Sequence, residues 1–288
     1  MQLKHTCAAA SATFDEPNLV SSAGLVPIMA LAQKAGLRTL AQKWLSVPTD
    51  KGANAGLKVA SLVAGMVAGA DSIDDMAILR HGGMAKLFTA IYAPSTLGSF
   101  LREFTFGHVR QLDAVASRFL TRLAGLTGLF TITSTGVGTG LDPRPVAVGA
   151  ADADSAVAGP TGIEPAVAKP EYTFLDVDDT IIQVHGHQKQ GAGFGYSGVR
   201  GLNAMLAIVS TTVTAPIIVA QRLRRGATGS PRGAKRLVAD ALATLKRLPG
   251  LGQARVLFRA DSAYYGHAPI AAAITAGAHV SVTVRMSP

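Results

Sequence analysis

The sequence predicts a chain of the α+β or α/β class, with a helical N-terminal region followed by a strand-rich C-terminal domain. Residues 18–128 carry apolar side chains at helical spacing, separated by Gly and Pro breaks. Residues 133–170 are rich in Gly, Thr, Ala, Asp and Pro, a composition typical of a flexible linker. From Glu171 the sequence changes to β-rich runs. We therefore expect a helical region over 1–130, a linker over 131–170 and a sheet-containing domain over 171–288.

Three segments of the N-terminal region are predicted to be helices, because their apolar residues recur every three or four positions. These segments are 27–40, 57–70 and 100–126. In the last one, a single face carries Leu101, Phe104, His108, Leu112, Val115, Phe119 and Leu120. A stripe of this kind is typical of a helix packed against a core, so we expect this face to be buried.

The C-terminal domain is predicted to contain five strands and two helices. The strands cover 172–184, 204–212, 216–223, 255–260 and 279–285, and the helices cover 230–248 and 267–276. Ser230 and Pro231 are placed as the N-cap and first turn of the longer helix. Its inward face is expected to carry Leu237, Val238, Ala241, Leu242 and Leu245. The order β-β-β-α-β-α-β is that of a ribonuclease-H-like domain.

The charge and the cysteine content limit the partners and the compartment. The 288 residues include 27 Lys and Arg and 18 Asp and Glu, which gives a net charge of +9. A basic balance favours a polyanionic partner. The single cysteine, Cys7, excludes an intrachain disulfide framework and a cysteine zinc cluster, and it fits a cytoplasmic protein. The uncharged stretch 201–221 is rich in β-branched residues and contains Pro216, so we expect two buried strands there and no membrane span.

Positive charge is concentrated in one part of the C-terminal domain. Between residues 180 and 239 there are eight basic residues and no acidic one. Six of them lie between the third predicted strand and the start of the following helix: Arg222, Arg224, Arg225, Arg232, Lys235 and Arg236. A solvated basic loop is one interpretation. A patch that contacts DNA phosphates is the favoured one, because no acidic residue offsets the charge.

A cluster of carboxylates follows a hydrophobic strand in the segment FLDVDDT. Asp176 and Asp178 share one face of the strand because strand side chains alternate, and Asp179 follows them directly. Like charges this close cost free energy unless a cation neutralises them, and Mg²⁺ prefers such oxygen ligands. A solvated strand end with turn-capping aspartates is the alternative interpretation.

A second acid, Asp261, ends the apolar strand in the segment LFRADSAYY. If this strand lies beside the first, Asp261 and the Asp176–Asp179 cluster could share a divalent ion. A simple cap of the following turn is the alternative for this residue.

These segments together resemble the DDE transposases of bacterial insertion sequences, specifically the group 1 type. The resemblance rests on LDVDDT, VHGHQKQGAGFGYSGVRG, RLRRGATGSPRGAKR and FRADSAYY, and it extends upstream to APSTLGSFLREFTFGHVRQL. It covers most of residues 70–130 and 171–288. The family's first catalytic aspartate precedes a small residue and a Thr, which maps it to Asp178. The second maps to Asp261, and Asp179 stands at the family's small position.

The resemblance implies DNA strand cleavage and transfer by two-metal phosphoryl transfer, with Mg²⁺ or Mn²⁺ as the cofactor. Asp178, Asp261 and Asp176 are the expected metal ligands, and Asp178 and Asp261 the catalytic residues. The basic stretch from Arg222 to Arg236 is expected to hold the DNA backbone, and the helical region to recognise terminal inverted repeats. We expect a homodimer on double-stranded DNA in the cytoplasm, associated with the nucleoid.

Two alternatives to an active transposase stay open. The family's third acid, a Glu on a later helix, has no counterpart after Asp261, so we expect a partial, C-terminally truncated catalytic domain. Such a chain could bind element ends without cutting them. The second alternative is a haloacid-dehalogenase-type phosphatase, whose nucleophile motif DxDxT is matched with Asp176 as nucleophile and Asp178 as general acid/base.

Overall fold

The computed structural model of this protein describes residues 16–130, 172–186, 189–212 and 214–284. Within these ranges the N-terminal part is helical, and the C-terminal part is a mixed sheet with two helices. The predicted mixed class of helices and strands is therefore confirmed. The linker predicted over 131–170 lies outside the described residues.

The described N-terminal part contains six α-helices. They are α1 (Leu25–Lys34), α2 (Leu37–Trp44), α3 (Ala55–Val67), α4 (Met84–Leu87), α5 (Pro94–Arg102) and α6 (Phe106–Thr127). Two 3-10 helices, Asp50–Gly52 and Asp74–Arg80, lie between them. Leu40, Ala41, Phe100 and Val115 are buried together where α2, α5 and α6 meet. Each buried Leu or Phe contributes roughly 1.5–3 kcal/mol to this packing.

Two of the predicted helices are each divided in two. The segment 27–40 is interrupted at Gly36, whose φ of +86° ends α1 and lets the chain turn into α2. The segment 100–126 is interrupted before Thr105, whose side chain and backbone exchange hydrogen bonds with His108 in a capping box. Apolar spacing continues through both breaks, so periodicity alone did not reveal them.

The sheet follows the predicted order of elements with one addition. It contains β1 (Tyr172–Gln183), β2 (Gly193–Phe194), β3 (Arg200–Ser210), β4 (Ile217–Arg225), β5 (Arg255–Ala260) and β6 (His279–Val282). Helix α7 (Ala234–Leu245) lies between β4 and β5, and α8 (His267–Thr275) between β5 and β6. The two-residue β2, which was not predicted, pairs with the first residues of β3.

The strands lie side by side in the order β4-β3-β1-β5-β6. Strand β1 is antiparallel to β3, and β3 is antiparallel to β4. On the other side, β1 is parallel to β5 and β5 is parallel to β6. Strand β1 is therefore central, and the carboxyl ends of β1, β4, β5 and β6 all point toward one edge of the sheet.

Helix α7 packs its apolar face on this sheet, as predicted. Its five predicted inward residues, Leu237, Val238, Ala241, Leu242 and Leu245, are all buried. They meet Leu175 and Val177 of β1 in a cluster that also contains Ala124 of α6. The helix begins at Ala234, after Gly233 adopts a φ of +88°, so Ser230 and Pro231 lie in the preceding turn and not in the helix.

The uncharged stretch 201–221 forms β3 and the first half of β4, in agreement with the prediction of two strands. In the parts of the chain that the structure describes, no helix is both long enough and apolar enough to cross a membrane.

Candidate functional site

Two carboxylates lie side by side where β1 meets β5. The parallel register pairs Val177 with Ala260, so Asp178 and Asp261 are the next residues on the two neighbouring strands. The backbone stays extended at Asp261, which keeps it in line with β5. Because alternate strand residues face the same way, both carboxylates belong to the face opposite the one that packs on α7. The register of β1 with β5 therefore makes these two acids neighbours, which is the condition for a shared ion.

In each of these carboxylates, one oxygen accepts a hydrogen bond and the other is accessible to a ligand. Oδ1 of Asp178 accepts a hydrogen bond from the backbone N of Asp179 at 2.8 Å. Oδ1 of Asp261 accepts one from the backbone N of Ala263 at 3.0 Å and caps the 3-10 helix Ser262–Tyr264. Both residues are exposed, so the second oxygen of each carboxylate is accessible to a ligand. The arrangement fixes two carboxylates where β5 ends beside the middle of β1 and leaves each an oxygen for a ligand.

Asp179, the next residue along β1, has the opposite environment. Its side chain is 8% exposed and forms an ion pair of 3.2 Å with Arg224 of β4, itself 9% exposed. It also accepts hydrogen bonds from the hydroxyl of Tyr264, at 2.6 Å, and from Asn203 of β3. We call Asp179, Arg224, Asn203 and Tyr264 the buried polar network. It joins β1, β3 and β4 to the turn that carries Asp261.

The protonation states within the buried polar network follow from these contacts. Although burial opposes the charged form, the hydrogen bonds from Tyr264 and the other donors lower the pKa of the Asp179 carboxyl. Burial, followed by the bond to Asp179, raises the pKa of Tyr264 well above its usual range. Asp179 is therefore an anion near neutral pH, and Tyr264 keeps the proton that it donates.

Asp176 is engaged away from the carboxylate pair. Its two oxygens accept hydrogen bonds from the Nε and Nη2 atoms of Arg259 on β5, at 2.7 and 2.8 Å. The guanidinium of Arg259 also lies 4.3 Å from the centre of the Phe174 ring. With both oxygens bonded to Arg259, Asp176 is less available as a metal ligand or as the nucleophile of a phosphatase.

The six predicted DNA-contacting residues fall into two groups. Arg224 is inside the buried polar network, and Arg222 donates to Asp240 of α7 at 2.7 Å. The other four residues, Arg225, Arg232, Lys235 and Arg236, are exposed around the loop from β4 to α7. Sequence spacing could not separate these groups, because the separation depends on the partners of Arg222 and Arg224, which are Asp240 of α7 and Asp179 of β1.

The carboxylate pair offers few protein ligands to a divalent ion. Among the described residues, no group of three or more His, Cys, Asp or Glu side chains could hold a metal ion. Mg²⁺ is commonly bound by one or two carboxylates together with water and substrate phosphates. Asp178 and Asp261 meet that smaller requirement. Their open oxygens are the atoms that would contact the ion.

No role was assigned to Tyr264 or Asn203 from the sequence, although one signal was available. Asp179 lies on the same strand face as Leu175 and Val177, and a carboxylate on a buried face requires donors. Its donors could not be named before the register of β1 with β3 and β5 was known.

Comparison with known proteins leaves the function to be inferred from the chain itself, since no protein-family model and no curated protein matches it.

Proposed function

We propose that this protein is a transposase of the DDE insertion-sequence type, which cleaves and transfers DNA strands at Asp178 and Asp261. The observation that carries the proposal is the pairing of two open carboxylates on neighbouring central strands of the sheet. Acids are depleted in strands, so Asp178 within β1, with a second carboxylate directly after β5, requires a reason beyond folding. A shared divalent cation and a phosphodiester would provide it.

The arrangement of the strands supports a ribonuclease-H-like domain. Of the five long strands, the first three in the chain are neighbours and antiparallel. The fourth and fifth are added in parallel on the other side of the first, each after a helix. This is the layout that the order β-β-β-α-β-α-β predicts, and it brings the two candidate catalytic strands together.

The proposed reaction is an in-line displacement at phosphorus. An oxygen of water or of a DNA 3′-hydroxyl forms a new bond to the scissile phosphorus, and the bond to the leaving 3′-oxygen breaks. The nucleophile loses its proton to solvent, and the leaving oxygen gains one. A bound Mg²⁺ or Mn²⁺ supplies charge stabilisation at the phosphate. Asp178 and Asp261 would hold such an ion through their open oxygens.

The exposed basic residues place positive charge where DNA would reach this edge. Strand β4 ends at Arg225, at the same edge of the sheet toward which β1 and β5 run. Arg225, Arg232 and Lys235 are exposed there. Double-stranded DNA with terminal inverted repeats is the proposed substrate, bound by two copies of the chain.

A second candidate function is DNA binding without cleavage. It is favoured by the small number of ligands, because only two carboxylates of the described residues meet at this edge. Two-metal catalysis is better served by a third acid. A chain without that acid would still keep its basic surfaces.

Nicking of supercoiled plasmid DNA tests the two candidates. The plasmid carries the gene with its native flanking DNA, and the reaction contains Mg²⁺ or Mn²⁺. We expect the wild-type chain to nick it, and Asp178→Asn or Asp261→Asn to lower the rate about 10³-fold, the equivalent of several kcal/mol. Asp50→Asn, an exposed aspartate outside the site, is the matched control.

DNA binding by the same variants separates the outcomes. If the wild type binds the plasmid but never nicks it, the non-catalytic candidate is correct. If nicking persists in the double variant Asp178→Asn/Asp261→Asn, the site assignment is wrong.

A further inference from the structure

A long groove with a surplus of positive charge lies between the helical part and the sheet. One part is a cavity of about 810 Å³ between α6, β4 and α7, lined by Arg110, Arg118, Arg236 and Arg247. A second hollow of about 400 Å³ shares Arg118 and Arg247 and adds Lys43 and Arg122. The two hollows share Arg118 and Arg247 and therefore lie next to each other, and together we call them the α6–α7 groove.

Acidic residues do not neutralise this groove. Its lining contains six cationic side chains and two carboxylates, Asp113 and Asp240, which leaves an excess of four positive charges. Asp240 alone faces three guanidiniums, those of Arg110, Arg222 and Arg236. Arg222 also keeps a buried Nε–H with no acceptor among the described residues. Burial raises the pKa of Asp113, and that carboxylate is already paired with Arg110.

Two arginines in the middle of the groove are held in place without a carboxylate. Arg247 donates to the hydroxyl oxygens of Ser117 and Thr244, at 2.8 and 3.2 Å. Arg118 donates to the backbone oxygen of Ala114, and its guanidinium lies 4.0 Å from the ring centre of Trp44. Neither forms an ion pair with an acidic side chain in the described ranges, and both are exposed. Their charges are therefore fixed in position and available to an anion.

The groove leads away from the edge that carries the carboxylate pair. Arg236 lies in the first turn of α7, close to that edge, and Arg247 follows the last residue of the helix. Eleven residues at helical rise separate them by about 16 Å. That length corresponds to roughly four or five phosphates of one DNA strand, measured along the duplex axis.

We propose that the α6–α7 groove binds the sugar–phosphate backbone of DNA on one side of the cleavage site. The inference rests on the proposed function, because that function makes DNA the substrate. The fixed guanidiniums of Arg118 and Arg247 contact phosphates, and Lys43 and Arg122 extend the contact at the far end. The helical part thereby contributes to DNA binding through a surface that it builds jointly with α7.

Fluorescence anisotropy with a labelled duplex of about three helical turns tests this surface at several salt concentrations. In the double variant Arg118→Gln/Arg247→Gln we expect DNA binding about tenfold weaker. The slope of log affinity against log salt falls by about 2, because two phosphate contacts are lost. Arg80→Gln/Arg102→Gln removes two arginines that do not line the groove and keeps the wild-type affinity and slope.

A second pair of substitutions covers the case in which the first variant fails to fold. Lys43 and Arg122 are exposed at the far end, so Lys43→Gln/Arg122→Gln tests the same groove with little structural risk. We expect the same direction of change in affinity and slope. If both folded variants bind DNA with the wild-type affinity and slope, the groove does not bind DNA.

Two further measurements distinguish this proposal from a small-anion site and from the proposed function. Inorganic phosphate, compared with chloride at equal ionic strength, is expected to leave DNA binding unchanged. Stoichiometric phosphate binding that disappears in Arg118→Gln/Arg247→Gln would make the groove a small-anion site and overturn the proposal.

Asp178→Asn is expected to keep the wild-type affinity for DNA, so the loss of cleavage and the loss of groove binding are measured independently. If the wild-type chain does not bind DNA at all, both the groove proposal and the proposed function fail.

Discussion

Asp178 and Asp179 are neighbours in one strand and lie in opposite environments. Asp178 is exposed beside Asp261, with one oxygen open to a ligand. Asp179 is almost fully buried, and its charge is neutralised by Arg224 and hydrogen-bonded by Tyr264. Strand alternation produces this difference, because it sends consecutive side chains to opposite faces. One carboxylate is thus free for chemistry, while the next supports the structure that holds it.

The two environments are physically linked through Tyr264. Its hydroxyl bonds Asp179, and its backbone belongs to the 3-10 helix that Asp261 caps. The buried polar network therefore ties the turn after β5 to β1. The turn that follows Asp261 is thereby held against β1.

The largest expected effect on stability comes from removing the buried carboxylate. Asp179→Ala leaves the Arg224 guanidinium buried without its counterion, which we expect to lower the free energy of unfolding by about 3 kcal/mol. Urea denaturation of the variant measures the loss. The double variant Asp179→Leu/Arg224→Met is expected to recover most of it, because no charge is left unpaired. A loss below about 0.5 kcal/mol for Asp179→Ala would contradict the role of the network.

An intermediate effect on the unfolding free energy is expected when the pH is lowered. The pKa of Asp179 in the folded chain lies below its usual value, so its stabilising contribution is complete above about pH 4 and lost as pH falls further. Asp179→Asn removes this contribution at every pH. Below about pH 4, the unfolding free energy of the wild type is expected to fall more steeply than that of the variant. Parallel pH profiles for the two proteins would be inconsistent with a lowered pKa.

The smallest effect on stability is expected at the exposed carboxylate. Asp178→Asn removes a charge that no cation of the described residues neutralises, so the unfolding free energy is expected to change by no more than about 0.5 kcal/mol. The same substitution is expected to abolish nicking. A large destabilisation would show that Asp178 is part of the fold and not a free ligand.

Much of the fold could be predicted because its signals are local. The strand runs, the apolar face of α7 and the position of Asp261 directly after a strand were all visible in hydrophobic patterning, whereas β1 continues past Asp178 to Gln183. The breaks at Gly36 and Thr105 were not, since apolar spacing continues across them. Neither the burial of Arg224 nor the α6–α7 groove could be predicted, because both depend on contacts between segments far apart in the chain.

We propose that Asp178 and Asp261 share one divalent ion and that Asp176 does not bind it. A titration with Mn²⁺ in the presence of the duplex, followed by the electron paramagnetic resonance signal of free Mn²⁺, tests it directly. We expect the wild type to bind Mn²⁺, and Asp178→Asn or Asp261→Asn to weaken binding at least about tenfold, the loss that even an outer partner of a metal site can cause. Asp176→Asn is expected to leave the affinity unchanged. Equal Mn²⁺ binding by the wild type and by Asp178→Asn/Asp261→Asn would contradict the shared site.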